Sequence, residues 1–538
     1  MSEKFVLERA KCPEEVGVDS EEIVRFLDDM KENNLEFHSF MVIKNGKVAC
    51  EFYRPPFNAE TPHACYSVSK SFTALAVGIA VDEGIISLDT RLVDVFPEYD
   101  NGNEKLGRIT VRHLITMTAG KAPSVLADKG KIDWIKDFFK APWYGEPGEF
   151  RYVNENIFML CAIIRRITGL TVREFLTPRF FEPMGIDVPF WETNSEGTEA
   201  GGWGIYVKLE DLAKLMYCYQ QGGIVNGKRI ISESWAKEAP LAHADNGYCK
   251  PLDNNKGYGY CFWRNGGDID SYRADGMFSQ FGMVFEKEDA LVISMGGIAD
   301  EQTARDCIWR HFPKAFITPN KRAKKSPVED FYTLGEKYSL DNPNVSVRSI
   351  KEQKLNESTV KFRKKIFLNL VGFPVSVLPL AVTYMTMDKA GNIDNVNFDF
   401  KDDCCEMTWT EGDETNTVSC GMNGRLLYGN MRLGGIDYLV CSSAEWITDD
   451  ELKVTVRPVT TVAKRILDFK FNGNSKVSMK PSSTPAVEDI ASTLLVSLSE
   501  IMPDCTFTDK LIGKLQSVTK YVPSVLEPVH KGKLIKRK

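Results

Sequence analysis

The chain has 538 residues, beyond the ~250–300 at which a single hydrophobic core stops growing, so two or more domains are expected. Hydrophobic residues make up 43% and charged residues 26%, an ordinary globular composition that excludes collagen-like, coiled-coil and largely disordered architectures. With 67 Lys plus Arg against 74 Asp plus Glu, the net charge of −7 leaves no global basic field to hold a nucleic-acid backbone.

The first ten residues contain no apolar core of the secretory kind, which predicts a cytoplasmic protein. Glu21 to Asn33 has helical spacing, and Ser39 to Lys44 then meets Lys47 to Tyr53 across Asn45-Gly46, a dipeptide suited to the tight hairpin turn. Phe72 to Asp82 is apolar on every side and reads as a buried helix. The following stretch is mostly helical up to a second hairpin, Gln280 to Glu286 and Ala290 to Gly296 around the charged turn Lys287-Glu-Asp, after which Glu301 to Phe312 is helical again. This pattern predicts an α+β domain whose antiparallel sheet is built from both ends of the segment, with a helical region inserted between them.

Thr318 to Pro327 is polar and bounded by prolines, as an interdomain linker is, which places a first domain at 1–318, a linker at 319–345 and a second domain at 346–538. Val396 to Phe400, Leu452 to Val456 and Ile466 to Phe471 alternate with period two and predict a small β-barrel or sandwich. The apolar stretch Ile366 to Val382 is interrupted by Asn369, Gly372, Pro374, Ser376 and Pro379 and falls short of the ~20 residues of a spanning helix, so it reads as buried strand or loop. The basic end, His530 to Lys538, reads as a solvated disordered tail rather than a contact with an anionic surface. The thirteen cysteines have no recurrent spacing and include the adjacent Cys404 and Cys405, which predicts reduced thiols rather than a disulfide framework or zinc site.

Several familiar chemistries are absent. There is no Gly-x-Ser-x-Gly and no His-Glu-x-x-His, and the six histidines show no metal-ligand spacing. Gly222 to Lys228 approaches a phosphate loop, but Arg229 stands where Ser or Thr is required and Asn226-Gly227 reads as a hairpin turn. Ser-x-x-Lys begins at Ser67, Ser234, Ser358 and Ser517, and of these Ser67 alone stands at the mouth of a buried-looking helix. There Lys70 lies on the same helical face and reaches the Ser67 hydroxyl. The helix N-terminus offers unpaired N–H groups to a developing oxyanion, and burial would lower the Lys70 pKa enough to make it a base. The alternative is a helix-capping Ser67 beside a solvated Lys70.

Ser67-Val-Ser-Lys-Ser-Phe-Thr-Ala-Leu-Ala-Val-Gly, then Glu83-Gly-Ile-Ile-Ser-Leu-Asp-Thr-Arg-Leu and Ile109-Thr-Val-Arg-His-Leu-Ile-Thr-Met-Thr-Ala-Gly, resemble the serine β-lactamase-like family. That family includes class C β-lactamases, penicillin-binding carboxypeptidases, family VIII esterases and 6-aminohexanoate-dimer hydrolases, and the resemblance runs to about Gly297. Its Tyr-x-Asn motif matches Tyr152-Val153-Asn154; the rival Tyr99-Asp100-Asn101 lies in a polar turn. The resemblance implies Ser67 as nucleophile, Lys70 and Tyr152 as joint acid and base, and Asn154 holding Lys70 or a substrate carbonyl. Where the family has Lys/His-Thr-Gly on the strand lining its cleft, this chain has Ala274-Asp275-Gly276. Gly276 would let a substrate lie against the strand, and the Met277 N–H would complete an oxyanion hole with that of Ser67.

The cation that binds a substrate carboxylate in β-lactam-handling relatives is missing here, Asp275 would repel such an anion, and the Ala-x-Gly form resembles the family's esterases and nylon-oligomer amidases. Of the aromatic residues near these motifs, Tyr144 and Trp203 are candidates for the substrate wall, while Trp143, Tyr206, Tyr258, Tyr260 and Trp263 are expected in the core. The second domain, from Ala444 to Arg457 and Leu467 to Gly473, is similar to the lipocalin-like barrel appended to some of these hydrolases. The expected protein is thus an α+β serine hydrolase of the β-lactamase/transpeptidase-like fold with a C-terminal all-β barrel-like domain, cleaving a small ester or amide through acyl-Ser67. It is expected to need no metal or organic cofactor and to have no nucleic-acid or membrane partner, with the oligomeric state left open. The alternatives are a silent binding or scaffold protein, a β-lactamase, and a D-aminopeptidase or D-alanyl peptidase in which Asp275 binds a substrate ammonium.

Overall fold

The computed structural model describes residues 4–123, 133–249, 252–266, 269–320, 335, 337–345, 348–363, 392–473, 475–501, 510, 513–517 and 519–537. Two compact units emerge, one of residues 1–338 with 495–512 and one of residues 339–494 with 513–538. Most of the expected linker, and the apolar stretch 366–382, lie outside the described residues.

In the first unit, after a single helical turn at Pro13–Val16, comes helix α1 (Ser20–Glu32), whose first turn is capped by the Asp19 carboxylate accepting the Glu21 N–H at 2.9 Å. Strands β1 (Phe37–Lys44) and β2 (Lys47–Tyr53) form the first hairpin, with Asn45 and Gly46 both at positive φ, 49° and 79°, as its two-residue turn demands. Helices α2 (Ser69–Asp82), α3 (Asn154–Thr168) and α4 (Leu209–Gln220) belong to the inserted region. The chain then returns to the sheet as β3 (Trp263–Arg264), β4 (Ser271–Gly276), β5 (Gln280–Phe285) and β6 (Ala290–Gly296), and closes with helix α5 (Glu301–His311). The sheet order is β2-β1-β6-β5-β4-β3, antiparallel throughout, so the two ends of the sequence meet at the β1–β6 pair.

The two faces of this sheet bury different partners. Phe40 and Val42 of β1, Phe281 and Met283 of β5 and Val292 of β6 pack with Phe26 of α1 and Ile308 of α5 in one core. On the other face, a Cβ added to Gly282 would stand 2.6 Å from Met216 Cγ, so a residue without a side chain lets α4 lie against β5. Helix α2 is buried all round because it sits inside the unit, and Gly78 leaves room for the Trp235 indole, whose Nε1 would be 2.4 Å from a Cβ there. The phosphate-loop candidate is a short hairpin of Ile224–Val225 and Lys228–Arg229, with Asn226 and Gly227 at φ 49° and 72°.

The second unit is a barrel of β7 (Ser358–Phe362), β8 (Ile393–Phe400), β9 (Cys404–Glu411), β10 (Glu414–Gly421), β11 (Leu427–Leu433), β12 (Ile436–Thr448), β13 (Glu451–Pro458), β14 (Lys464–Asn472), β15 (Lys476–Thr484) and β16 (His530–Lys536). Nine strands run in the order β10-β9-β8-β7-β16-β15-β14-β13-β12, and a parallel bridge between Gly421 and Ser443 closes the ring; β11 pairs on β12. Phe398, Met407, Trp409, Val440, Leu467, Phe469 and Met479 fill its interior. All three alternating runs expected to be strands lie in it. The basic end, expected to be disordered, is instead strand β16, hydrogen-bonded between β7 and β15. Lys531 and Lys533 alternate outward, opposite to His530 and Leu534, so their charge is compatible with a strand whose other face completes the core. Among the described residues, no helix is long and apolar enough to cross a membrane.

Candidate active site

Ser67 lies in a single helical turn, Tyr66–Val68, that runs directly into α2. The turn is tightly held. Tyr66 takes φ 44°, a conformation costly for a side-chain-bearing residue, and the Val68 N–H donates to the Cys65 carbonyl at 3.0 Å. The Ser69 hydroxyl donates to the Tyr66 carbonyl at 2.6 Å and accepts the Ile205 N–H at 3.1 Å, fastening the turn to the segment after Gly204. Ser69, the third residue of the Ser-x-x-Lys tetrad, is therefore its structural anchor, while Ser67 remains partly exposed and approachable.

One helical turn on, Lys70 is 1% exposed, and its Nζ donates to Ser67 Oγ at 2.7 Å and to the Gly202 carbonyl at 2.6 Å. Gly202 is a partner that no motif announces. It lies in Ala200-Gly-Gly-Trp-Gly204, where Gly201 and Gly204 take φ 68° and 90° and a Cβ on Gly202 would come within 3.1 Å of the Asn154 carbonyl. The run of three glycines was the available signal, since backbone that must approach other backbone this closely tolerates no side chain. Asn154 begins α3 against this segment, and its Oδ1 is buried with no hydrogen-bond partner. Lys70 thus makes its second bond to a main-chain carbonyl and not to Asn154 Oδ1.

Tyr152 reaches the same place from the loop before α3. The Lys70 Nζ stands 4.7 Å from the centre of its ring, a cation–π distance. The Arg151 N–H donates to the Met117 carbonyl at 2.8 Å, and Trp263 and Tyr258 pack on the Tyr152 ring at 5.2 and 5.9 Å between centroids. Tyr152 is half-buried, whereas Tyr66, Tyr206 and Tyr258 are buried and burial pushes their phenols well above the ordinary value. Those three stay protonated in the interior. Burial likewise pushes the Cys261 thiol up to about 12 despite the nearby Lys70 charge, so it offers no competing thiolate.

Strand β4 closes the site from the far end of the unit. A Cβ on Gly276 would stand 2.3 Å from the Cys65 carbonyl, so Gly276 is what lets β4 touch the turn carrying Ser67. After it, Phe278 and Ser279 take φ 65° and 71°, and the Glu301 carboxylate accepts the Phe278 N–H at 2.8 Å. Among the described residues, no main-chain carbonyl accepts the N–H of Ser67 or of Met277.

Three sequence expectations change. Asp275 alternates to the opposite face of β4 from Gly276 and pairs with buried Arg273 at 2.5 Å, with Arg305 at 3.7 Å, so its charge is compensated inside the protein. Trp203 is 3% exposed, with its ring on Trp134 at 5.6 Å and its carbonyl accepting the Trp191 indole N–H at 2.9 Å. It is a core residue, because the bends at Gly201 and Gly204 turn it inward. Tyr144 is 39% exposed on the loop whose N–H bonds to the Gly120 carbonyl at 2.9 Å, and no described contact brings it to Ser67.

A family model described as Beta-lactamase matches residues 28–296, half of the chain. The chain is 24% identical over 290 residues to a 6-aminohexanoate-dimer hydrolase of Paenarthrobacter ureafaciens, a match that covers 49% of this chain and 74% of the relative. Among solved structures, a penicillin-binding protein homologue from Caulobacter crescentus superposes with a TM-score of 0.45 and 18% identity, covering 55% of this chain and 99% of the other. A family VIII carboxylesterase does so with a TM-score of 0.41 and 18% identity, covering 56% and 99%. With the family model running from within α1 to the end of β6, across every residue gathered around Ser67, the chain belongs to the beta-lactamase family and is a hydrolase of that family.

Proposed function

We propose that the protein cleaves a small, uncharged ester or amide through an acyl-Ser67 intermediate. The observation that carries this reading is the 2.7 Å hydrogen bond between Lys70 Nζ and Ser67 Oγ at a partly exposed serine, with Tyr152 against the same amine. In the acylation step Ser67 Oγ attacks the substrate carbonyl carbon and gives up its proton to the Lys70–Tyr152 pair, which returns a proton to the leaving alcohol or amine. The N–H groups of Ser67 and Met277 hold the oxyanion of the tetrahedral intermediate. Water, deprotonated by the same pair, then releases the acid.

Substrate charge follows from β4. The basic residue that precedes the glycine by two positions in carboxylate-binding relatives is Ala274 here, and the Asp275 charge is spent on Arg273. Neither a cation nor an anion is left on this strand to pay for desolvating a charged substrate group, which favours a neutral ester or amide. The test is intact-mass analysis after a fluorophosphonate probe, with turnover of short-chain p-nitrophenyl esters, on wild type and Ser67→Ala. A single adduct on Ser67, and a folded but inert variant, are expected; no adduct on folded protein would sink the acyl-enzyme.

A further inference from the structure

We propose that the outer face of the barrel across β7, β16 and β15 is a docking surface for an anionic lipid bilayer. The register of these strands sets Lys533 of β16 directly opposite Lys361 of β7 on one side and Lys476 of β15 on the other, three lysines in one row. Lys531, two residues earlier on the same face, pairs with Ser478, and the Arg363 N–H donates to the Lys531 carbonyl at 3.0 Å, which puts a fifth cation beside it. Alternation fixes their direction. Phe362 and Val477 in the core neighbour Lys361 and Lys476 in sequence, and Lys361, Arg363, Lys476, Lys531 and Lys533 are all exposed.

Like charges directly opposite one another on adjacent strands destabilise a sheet. Elsewhere on this barrel cations have anionic neighbours, as in Lys453 with Glu445, Lys470 with Glu451 and Lys401 with Glu406. Among the described residues none of the five cations on this face makes an ion pair, in a chain whose net charge is −7. A row that weakens its own sheet and, among the described residues, makes no internal ion pair is matched to counter-ions from outside.

The character of the face favours lipid headgroups over nucleic acid. Four of the five cations are lysines, compact point charges, and no aromatic side chain stands in the Lys361–Lys533–Lys476 row to stack a base. The outside of a barrel is convex, whereas a base edge is read by an element entering a groove. Ile535, next on the outward side of β16 and opposite Thr359, is 46% exposed and supplies an apolar side chain to the headgroup boundary. The contact is peripheral and asks for no spanning helix.

Co-sedimentation of the full chain with vesicles of phosphatidylcholine alone, and with about one-third phosphatidylglycerol, tests this at low and high salt. Binding to the anionic vesicles alone, weakened by salt, is expected. The triple substitution Lys361→Gln, Lys476→Gln, Lys533→Gln should lose roughly fivefold in affinity per charge removed, on the order of a hundredfold in all. Its melting temperature should hold or rise, because repulsion has been relieved, and its ester turnover should be unchanged. Wild type that ignores anionic vesicles at low salt, or a triple variant that binds them equally well, overturns the proposal. Tighter binding to a short DNA duplex than to the vesicles overturns the choice of partner.

Discussion

Replacing Gly276 by Ala isolates the approach of β4 to the nucleophile turn. Gly276 does not need positive φ, so alanine meets no backbone penalty and the whole effect comes from one methyl group. Its carbon would stand 2.3 Å from the Cys65 carbonyl oxygen, where ordinary van der Waals contact begins at 3.4 Å. That oxygen cannot swing aside cheaply, because it accepts the Val68 N–H at 3.0 Å and so closes the turn holding Ser67. Relief of the clash must separate β4 from the turn by on the order of 1 Å, and a misplacement of that size costs up to ~10²-fold in rate. Overpacking costs about 1–3 kcal/mol, offset by about 0.4–1 kcal/mol from the stiffer unfolded chain, so the variant should fold. Steady-state kinetics on a p-nitrophenyl ester, the rate of fluorophosphonate labelling and thermal unfolding would be measured together. A folded variant with kcat/KM lower by ~10²-fold and slowed labelling is expected. A variant with wild-type kcat/KM and an unchanged melting temperature would refute the close approach of β4 as the feature that aligns the site.

Three further outcomes are expected. Lys70→Met keeps the aliphatic stem but loses both hydrogen bonds of the amine, and should lower ester turnover by ~10²–10⁴-fold, the worth of a general base, with labelling of Ser67 falling in parallel; turnover that persists would take Lys70 out of the proton path. Asp275→Asn strips the counter-charge from buried Arg273 and should cost about 3–5 kcal/mol in urea unfolding while leaving unchanged the kcat/KM ratio between cationic and neutral esters; a shifted ratio with intact stability would return Asp275 to the substrate. Asp211, in the first turn of α4, accepts the Lys208 N–H at 3.0 Å, and its carboxyl is raised to about 6 by burial. The folded state therefore holds its proton more tightly than the unfolded one, so this group stabilises the protein at acid pH and that stability fades as pH rises from about 4 through 6. Asp211→Asn keeps the acceptor and should gain up to ~3 kcal/mol at pH 7, a gain that vanishes by pH 4; equal gains at both pH values would contradict the buried-carboxyl assignment.

The order of local elements was written in the sequence, because each is set by short-range physics. Asn45-Gly46 specifies the first hairpin, the all-apolar run after Ser67 specifies a buried helix, and the period-two runs after residue 393 specify strands. Ser67 and Lys70 were legible for the same reason, since i and i+3 on one helix meet whatever the rest of the chain does. What required the tertiary structure is everything that depends on register or on backbone far away in sequence. The Gly202 carbonyl that holds Lys70 is 132 residues distant and has no side chain to announce it. Asp275 looks like a site residue in the string Ala-Asp-Gly, and only its place in β4, pairing with Phe281 while Gly276 touches Cys65, sends it to the opposite face and to Arg273. Trp203 and Tyr144 looked alike as aromatic residues in loops, and the bends at Gly201 and Gly204 buried one while the other stayed exposed. The basic C-terminal run has the composition of a tail, but strands β7 and β15 each need a neighbour to close the barrel, and that non-local demand for main-chain hydrogen bonds turns His530–Lys536 into a strand with a lysine row on its outer face.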